Sequence, residues 1–289
     1  MTNVITNKIY VIGTMLLICS MSIPMIAGAG GISVDAGLTP PLDRWIVRMQ
    51  ARYMPRSDDP TPMNREMDMY MFPVVVAYGL RSDLTVMFRQ PFVSSEMTMT
   101  GNSNNKSGLG DFFALVKYRA YRINTPSYTI GIAPAIGVKA PTGQSDISSK
   151  TWDLKTSLLF SWRTGFWASD ANLEYSWNGV AGSADNDVEP GNETALNLAF
   201  AYQFPLGKRG NSSLAPVIEI SYLQIAADRL DGHDRLNSGE SILYLSPGLK
   251  FTTASFVLEL LLQNPVVQDQ KDSQLKRDMG VIVGTRFLF

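Results

Sequence analysis

The feature that most limits what this chain can fold into is a two-residue alternation of apolar and polar side chains, clearest in TWDLKTSLLFSWR (151–163). Successive side chains of an extended strand point to opposite sides. Trp152, Leu154, Thr156, Leu158, Phe160 and Trp162 therefore share one face, and Asp153, Lys155, Ser157, Ser161 and Arg163 share the other. A soluble sandwich buries its apolar face, whereas this one is tipped with tryptophan at both ends, as a wall crossing hydrocarbon would be. RWIVRMQARY (44–53) repeats the pattern, setting Trp45, Val47, Met49, Ala51 and Tyr53 against Arg44, Ile46, Arg48, Gln50 and Arg52.

Ten further segments read as strands: 69–79, 84–92, 110–122, 128–139, 166–177, 194–204, 214–224, 241–251, 255–263 and 278–289. The sum is about twelve, an even number. Connections alternate between short links, such as 80–83, 164–165 and 252–254, and long polar ones at 54–68, 93–109, 140–150, 178–193, 225–240 and 264–277. The link at 205–213 is an exception, longer than a tight turn. Even strand number with alternating short and long connections is the order of bacterial outer-membrane barrels. In hydrocarbon every backbone amide must be paired internally, and a sheet meets that demand only by closing on itself. The expected fold is all-β, a transmembrane antiparallel up-and-down β-barrel spanning 44–289. Pro73, Pro91, Pro134, Pro216 and Pro247 lie inside these segments; each lacks a ladder donor, so bulges or strand ends are expected there.

No apolar run after residue 29 is long enough for a helical span. Before it, Lys8 precedes the run YVIGTMLLICSMSIPMIAGA, which closes on Ala27, Gly28 and Ala29. That order reads as a secretory signal peptide over 1–29; export together with the barrel pattern makes the bacterial outer membrane the expected address. Cys19, the only cysteine, would leave with the peptide, so disulfides and thiolate metal sites are excluded from the mature chain. Residues 30–43, rich in Gly and Pro, are expected either to plug the barrel or to trail in the periplasm. With 25 basic and 26 acidic residues, no charge imbalance points to nucleic acid.

The last strand, DMGVIVGTRFLF, sets Met279, Val281, Val283, Thr285, Phe287 and Phe289 outward and Arg286 inward. A terminal aromatic residue suits recognition by the outer-membrane assembly machinery. The expected membrane-interface aromatics are Trp45, Tyr53, Trp152, Trp162, Phe287 and Phe289. Strand parity assigns nine basic lumen-lining candidates, Arg44, Arg48, Arg52, Lys117, Arg119, Lys155, Arg163, Lys250 and Arg286, opposed by Asp111, Asp153, Asp170, Glu174, Glu219 and Glu259. His233, the sole histidine, sits in the polar stretch AADRLDGHDRLNSGE (226–240), where it suits a solvated loop better than a catalytic site. No enzyme, metal or cofactor is expected.

GLGDFFALVKYRAY (108–121), the strand to Val138 and then KAPTG (139–143) carry a narrower signal. Their G-x-G-D, K-Y-R and P-T-G steps resemble the outer-membrane family labelled transporters of the MetA-pathway of phenol degradation. The resemblance covers these segments and, more loosely, the barrel order from about residue 40 onward. It implies a channel for small, often aromatic, organic compounds. The expected function is passive uptake of small organic solutes, aromatic or anionic among them; the alternative is a closed structural barrel that binds partners through its extracellular loops.

Overall fold

The computed structural model describes residues 30–182, 188–207, 211–271 and 273–289. The signal-peptide reading of 1–29, with Cys19, lies outside the described residues. Twelve antiparallel strands form the wall: β1 Trp45–Ser57, β2 Glu66–Arg81, β3 Leu84–Met99, β4 in the pieces Asn102–Leu109, Phe112–Tyr118 and Tyr121–Asn124, β5 Tyr128–Ala140, and β6 Thr151–Thr164. They continue as β7 Trp167–Gly182, β8 Glu193–Tyr202, β9 Ser212–Ile225, β10 Glu240–Thr252, β11 Phe256–Gln270 and β12 Gly280–Leu288. Each strand pairs with its sequence neighbours, and β12 returns to β1 from Ile46↔Leu288 to Tyr53↔Val281. At the seam, the Phe289 N–H donates to the Trp45 carbonyl (2.9 Å) and the Trp45 N–H to that of Phe289 (3.1 Å). Among the described residues the wall closes on itself, which is the condition for crossing a membrane with strands.

The alternation divides outside from inside as expected. Val74, Phe88, Val116, Ile136, Leu158, Leu173, Leu196, Ile218, Leu245, Leu258 and Val283 stand exposed on eleven of the strands. An apolar belt of this extent is stable only against lipid. Aromatic pairs flank it: Trp45 on Tyr78 (ring centroids 4.4 Å) and Trp167 on Tyr202 (4.8 Å) at the short-turn end, Tyr53 on Tyr70 (5.0 Å) at the long-loop end.

Each of the five prolines falls beside an interruption of a ladder. Between β1 and β2 the ladder is interrupted between Met49↔Val74 and Arg52↔Met71, in unchanged register, and Pro73 lies in the gap. Pro91 faces the break between the first two pieces of β4, and Pro134 the break between its second and third. Pro216 lies in the gap between Ala201↔Val217 and Phe204↔Leu214, and Pro247 in that between Leu245↔Asn264 and Gly248↔Leu261. The missing donor of proline thus coincides with places where no partner waits for it. Gln90 patches one such gap, donating from Nε2 to the Gly110 carbonyl (2.7 Å).

The long connections differ from expectation. Residues 93–109 are no loop: β3 and β4 pair as far as Met99↔Asn102 around a turn at Gly101. Similarly, β11 runs on to Gln270, and within 225–240 the pair Arg229–Leu230 and His233–Asp234 joins Val188–Glu189 in a small sheet. Beyond the hydrocarbon, backbone pairing needs no apolar face, so polar stretches such as NSNNKSGL extend the wall without showing the alternation.

Candidate functional site

Residues 30–39 run inside the wall without regular structure, so their backbone groups depend on side chains of the barrel. The Glu219 carboxylate, 1% exposed, accepts from the N–H of Ile32 (2.5 Å) and of Ser33 (3.1 Å) and from the Ser33 hydroxyl. Asp170 accepts from the Gly31 N–H (2.9 Å), from Ser161 Oγ (2.5 Å) and from Arg163 Nη2 (2.8 Å). Gly37 N–H in turn donates to Ser161 Oγ (2.8 Å). With its amide oriented so that both atoms are satisfied, Asn172 brackets Asp35, donating to its carbonyl (2.6 Å) and accepting from its N–H (2.8 Å). Cations take the carbonyls: Lys250 Nζ donates to Gly30 (3.0 Å), and Lys117 Nζ to Ala36 (3.0 Å) and Leu38 (2.8 Å). Carboxylates on amides and ammoniums on carbonyls satisfy a chain that forms no ladder of its own.

Gly37 lies against the wall so closely that a Cβ there would stand 2.7 Å from the carbonyl oxygens of Gly131 and Leu159. Only glycine permits this approach.

A second cluster centres on Glu259, 2% exposed. It pairs with Arg286 Nη2 (2.7 Å) and Arg48 Nε (3.3 Å), and Lys250 stands opposite it in register. Such buried charges persist because each has a partner. Around both clusters lies a cavity of about 340 Å³. Seven basic residues line it, Arg48, Arg89, Lys117, Lys155, Arg163, Lys250 and Arg286, against the acids Asp35, Asp170 and Glu174.

The remaining candidates divide into several settings. Lys155 pairs with Glu174 (2.5 Å), while Asp153 pairs with Lys139 and accepts from the Gly179 N–H (2.9 Å). Arg52 donates to Gln50 Oε1 from Nε (3.1 Å) and Nη2 (2.7 Å), and Arg119 Nη1 to Thr39 Oγ1 (2.7 Å). Arg44 precedes β1 and is not among the residues lining the cavity. Asp111 is not among the residues lining the cavity. It lies in the break of β4 and holds the 140–150 loop, accepting from Gly143 N–H (3.0 Å), Ser148 Oγ (2.6 Å) and Ser149 N–H (2.9 Å). Asp111 of G-x-G-D and Gly143 of P-T-G are thus two ends of one clamp.

Among the aromatics, Trp45, Trp152, Trp162 and Phe289 are exposed outward, Phe287 stacks on Phe289 (6.4 Å), and Tyr53 donates to Asp68 Oδ1 (2.6 Å). Arg89, Lys139 and Asp35 are not among the residues that the sequence singles out. Arg89 shares parity with Thr85 and Met87 on β3, so the alternation marks it as inward, but a lone charge on a greasy segment forms no recognisable constellation.

The crystal structure of an outer membrane channel from Pseudomonas putida F1 is similar to this chain with a TM-score of 0.69 at 15% identity, covering 89% of this chain and 100% of the other. The β domain of the Bordetella autotransporter BrkA gives 0.52 at 10% identity, covering 86% and 100%. These likenesses carry the fold, an outer-membrane β-barrel. A search of curated proteins finds no match to this chain. Residues 69–260, two thirds of the sequence and nearly all of β2 through β11, match the family model described as "Putative MetA-pathway of phenol degradation", and the chain belongs to that family.

Proposed function

We propose that the protein is a passive channel of the bacterial outer membrane for small organic solutes, aromatic and anionic ones among them, with no catalytic residue. The observation that carries this reading is the cavity itself. A wall greasy on the outside encloses about 340 Å³ lined by charged side chains, where a barrel serving only as an anchor would fill its interior with packed side chains. The family's link to phenol degradation and the channel from Pseudomonas putida F1 point the same way. The basic excess of the lining favours anions.

Purified protein, shown to be folded by heat-modifiable gel mobility, is expected to conduct in a planar bilayer. Its reversal potential under a salt gradient should report anion preference that weakens on replacement of Arg48, Arg89 and Arg286; cation selectivity of the parent protein would refute that preference. The bonds that tie residues 30–39 to the wall support the second reading, a closed structural barrel whose loops meet a partner. A silent bilayer with folded protein decides for it.

Export with loss of residues 1–29 suits the setting of Gly30, which is buried at a point where a Cβ would meet Asp170 Oδ2 at 2.7 Å and Arg163 Nη2 at 2.8 Å. Cleavage there leaves an α-ammonium beside the Asp170 carboxylate, and intact-mass measurement of the mature chain tests it. The outward row ending at Phe289 would serve the assembly machinery.

A further inference from the structure

We infer that the cavity wall from β12 through β4 is a binding site for one small amphipathic organic anion, a carboxylate carried on an apolar ring or short chain. The inference rests on the channel reading only in requiring that solute reach the cavity.

The site follows from register. Arg286 pairs with Arg48, Arg48 with Val75, Val75 with Arg89, and Arg89 with Phe113. Inward positions on five adjacent strands therefore form one continuous row that holds three guanidiniums and ends on an aromatic ring. Two residues nearer the short turns, the next inward row reads Leu288, Ile46, Ala77, Met87 and Leu115, each paired with the next. A cationic band thus lies directly over an apolar strip, and Thr85 paired with Lys117 closes the strip below. Both rows face the same cavity.

The cationic band is underpaired. Arg48 and Arg286 share the single carboxylate of Glu259, and the buried atoms Arg48 Nη2 and Arg286 Nε have no hydrogen-bond partner among the described residues. Arg89 has no ion pair among the described residues; its guanidinium lies 4.7 Å from the centre of the Phe113 ring. Lys117 spends its ammonium on neutral carbonyls, which leaves its charge uncancelled. Asp35 also lines the cavity and has no ion pair among the described residues, so four cations, Arg48, Arg89, Arg286 and Lys117, share two carboxylates, Glu259 and Asp35. Guanidiniums left in excess inside the barrel favour an anion that brings acceptor oxygens in a planar pair.

The strip sets the rest of the ligand. A bare inorganic anion leaves Ile46, Ala77, Met87 and Leu115 facing water, whereas an apolar ring covers them. A volume of about 340 Å³ stands at the lower end of the roughly 300–1,000 Å³ usual for small-molecule pockets. It admits a single-ring acid and excludes a lipid chain.

The test is equilibrium dialysis of radiolabelled benzoate against the full-length, detergent-folded protein at fixed salt, with acetate and benzyl alcohol as competitors. One saturable benzoate per protein is expected, and both competitors should be at least about tenfold weaker, acetate for want of the ring and benzyl alcohol for want of the charge. Arg89→Gln, which breaks no ion pair, should weaken benzoate by at least about tenfold. Met87→Gln should weaken benzoate more than acetate. Non-saturable uptake, equal competition by benzyl alcohol, or unchanged binding by Arg89→Gln with native gel mobility would each overturn the site. Saturable benzoate binding by a protein silent in bilayers keeps the site and sinks the channel reading. Conductance without saturable binding does the reverse.

Discussion

Replacing Glu259 by Gln probes the charge balance of the interior most directly. The carboxylate is buried between Arg286 (2.7 Å) and Arg48 (3.3 Å), with Lys250 opposite. Gln keeps the shape and one acceptor oxygen but leaves three cations in one cluster without their anion. Removing one partner of a buried pair costs about 3–5 kcal/mol. The retained acceptor, and arginine side chains 12% and 26% exposed toward the cavity, bring the expected loss to about 2–3 kcal/mol. Equilibrium urea unfolding in phospholipid vesicles measures it through the five tryptophans, all of which lie on barrel strands. The double variant Glu259→Gln/Arg286→Gln should recover about 1 kcal/mol or more of the loss, because one stranded cation goes with its partner. In bilayers the single variant should conduct with stronger anion preference. A folded Glu259→Gln barrel within about 0.5 kcal/mol of the parent, a change typical of a surface site, would refute the premise that Glu259 neutralises this cluster.

Replacing Asp170 and Glu219 together by Ala removes the acceptors of the Gly31, Ile32 and Ser33 amides. Residues 30–39 should leave the wall, raising conductance and opening a cysteine placed at Ser33 to a polar maleimide; unchanged labelling would show that the lysine contacts suffice. Asp111→Asn should expose the 140–150 loop to protease without shifting barrel unfolding, since the bonds lost run to the loop alone; a barrel that melts earlier would contradict this. In the 58–65 loop, the Arg65 guanidinium holds the Asp59 carboxyl well below the usual carboxylate range, aided by the Arg65 and Thr61 N–H groups. A folded pKa below the unfolded value of about 3.9 makes the clamp complete above that pH and lost only as pH falls through the lower folded value. Pepsin at pH 3 should therefore spare this loop in the parent and cut it in Arg65→Gln, and equal cutting of both would count against the clamp.

The alternation made the wall legible because parity is a local property. A strand that sets Leu158 outward must set Ser157 and Leu159 inward, wherever its neighbours lie. Polar ladders beyond the membrane escaped for the converse reason: NSNNKSGL has no apolar face to betray it, and its pairing with β3 comes from the hairpin around Gly101. Residues 30–39 were open to two placements because a segment without periodicity gains its order from outside. Its partners Asp170, Glu219, Lys117 and Lys250 sit on four separate strands.

What parity could not supply is register. Nothing in RWIVRMQARY says that Arg48 meets Arg286 across the closing seam, or that Arg89, two strands on, continues their row. That alignment exists only once β12 has docked on β1 and fixed the stagger of every intervening pair. The candidate site is accordingly a property of closure: single residues announced that charge would face inward, but only the closed ring sets three guanidiniums side by side above an apolar strip. Shifting β1 by one residue would turn Arg48 toward lipid; shifting it by two would keep Arg48 inside and still break the row. Chemistry in a barrel interior therefore becomes readable when candidate charges are tested against strand register as well as counted by parity.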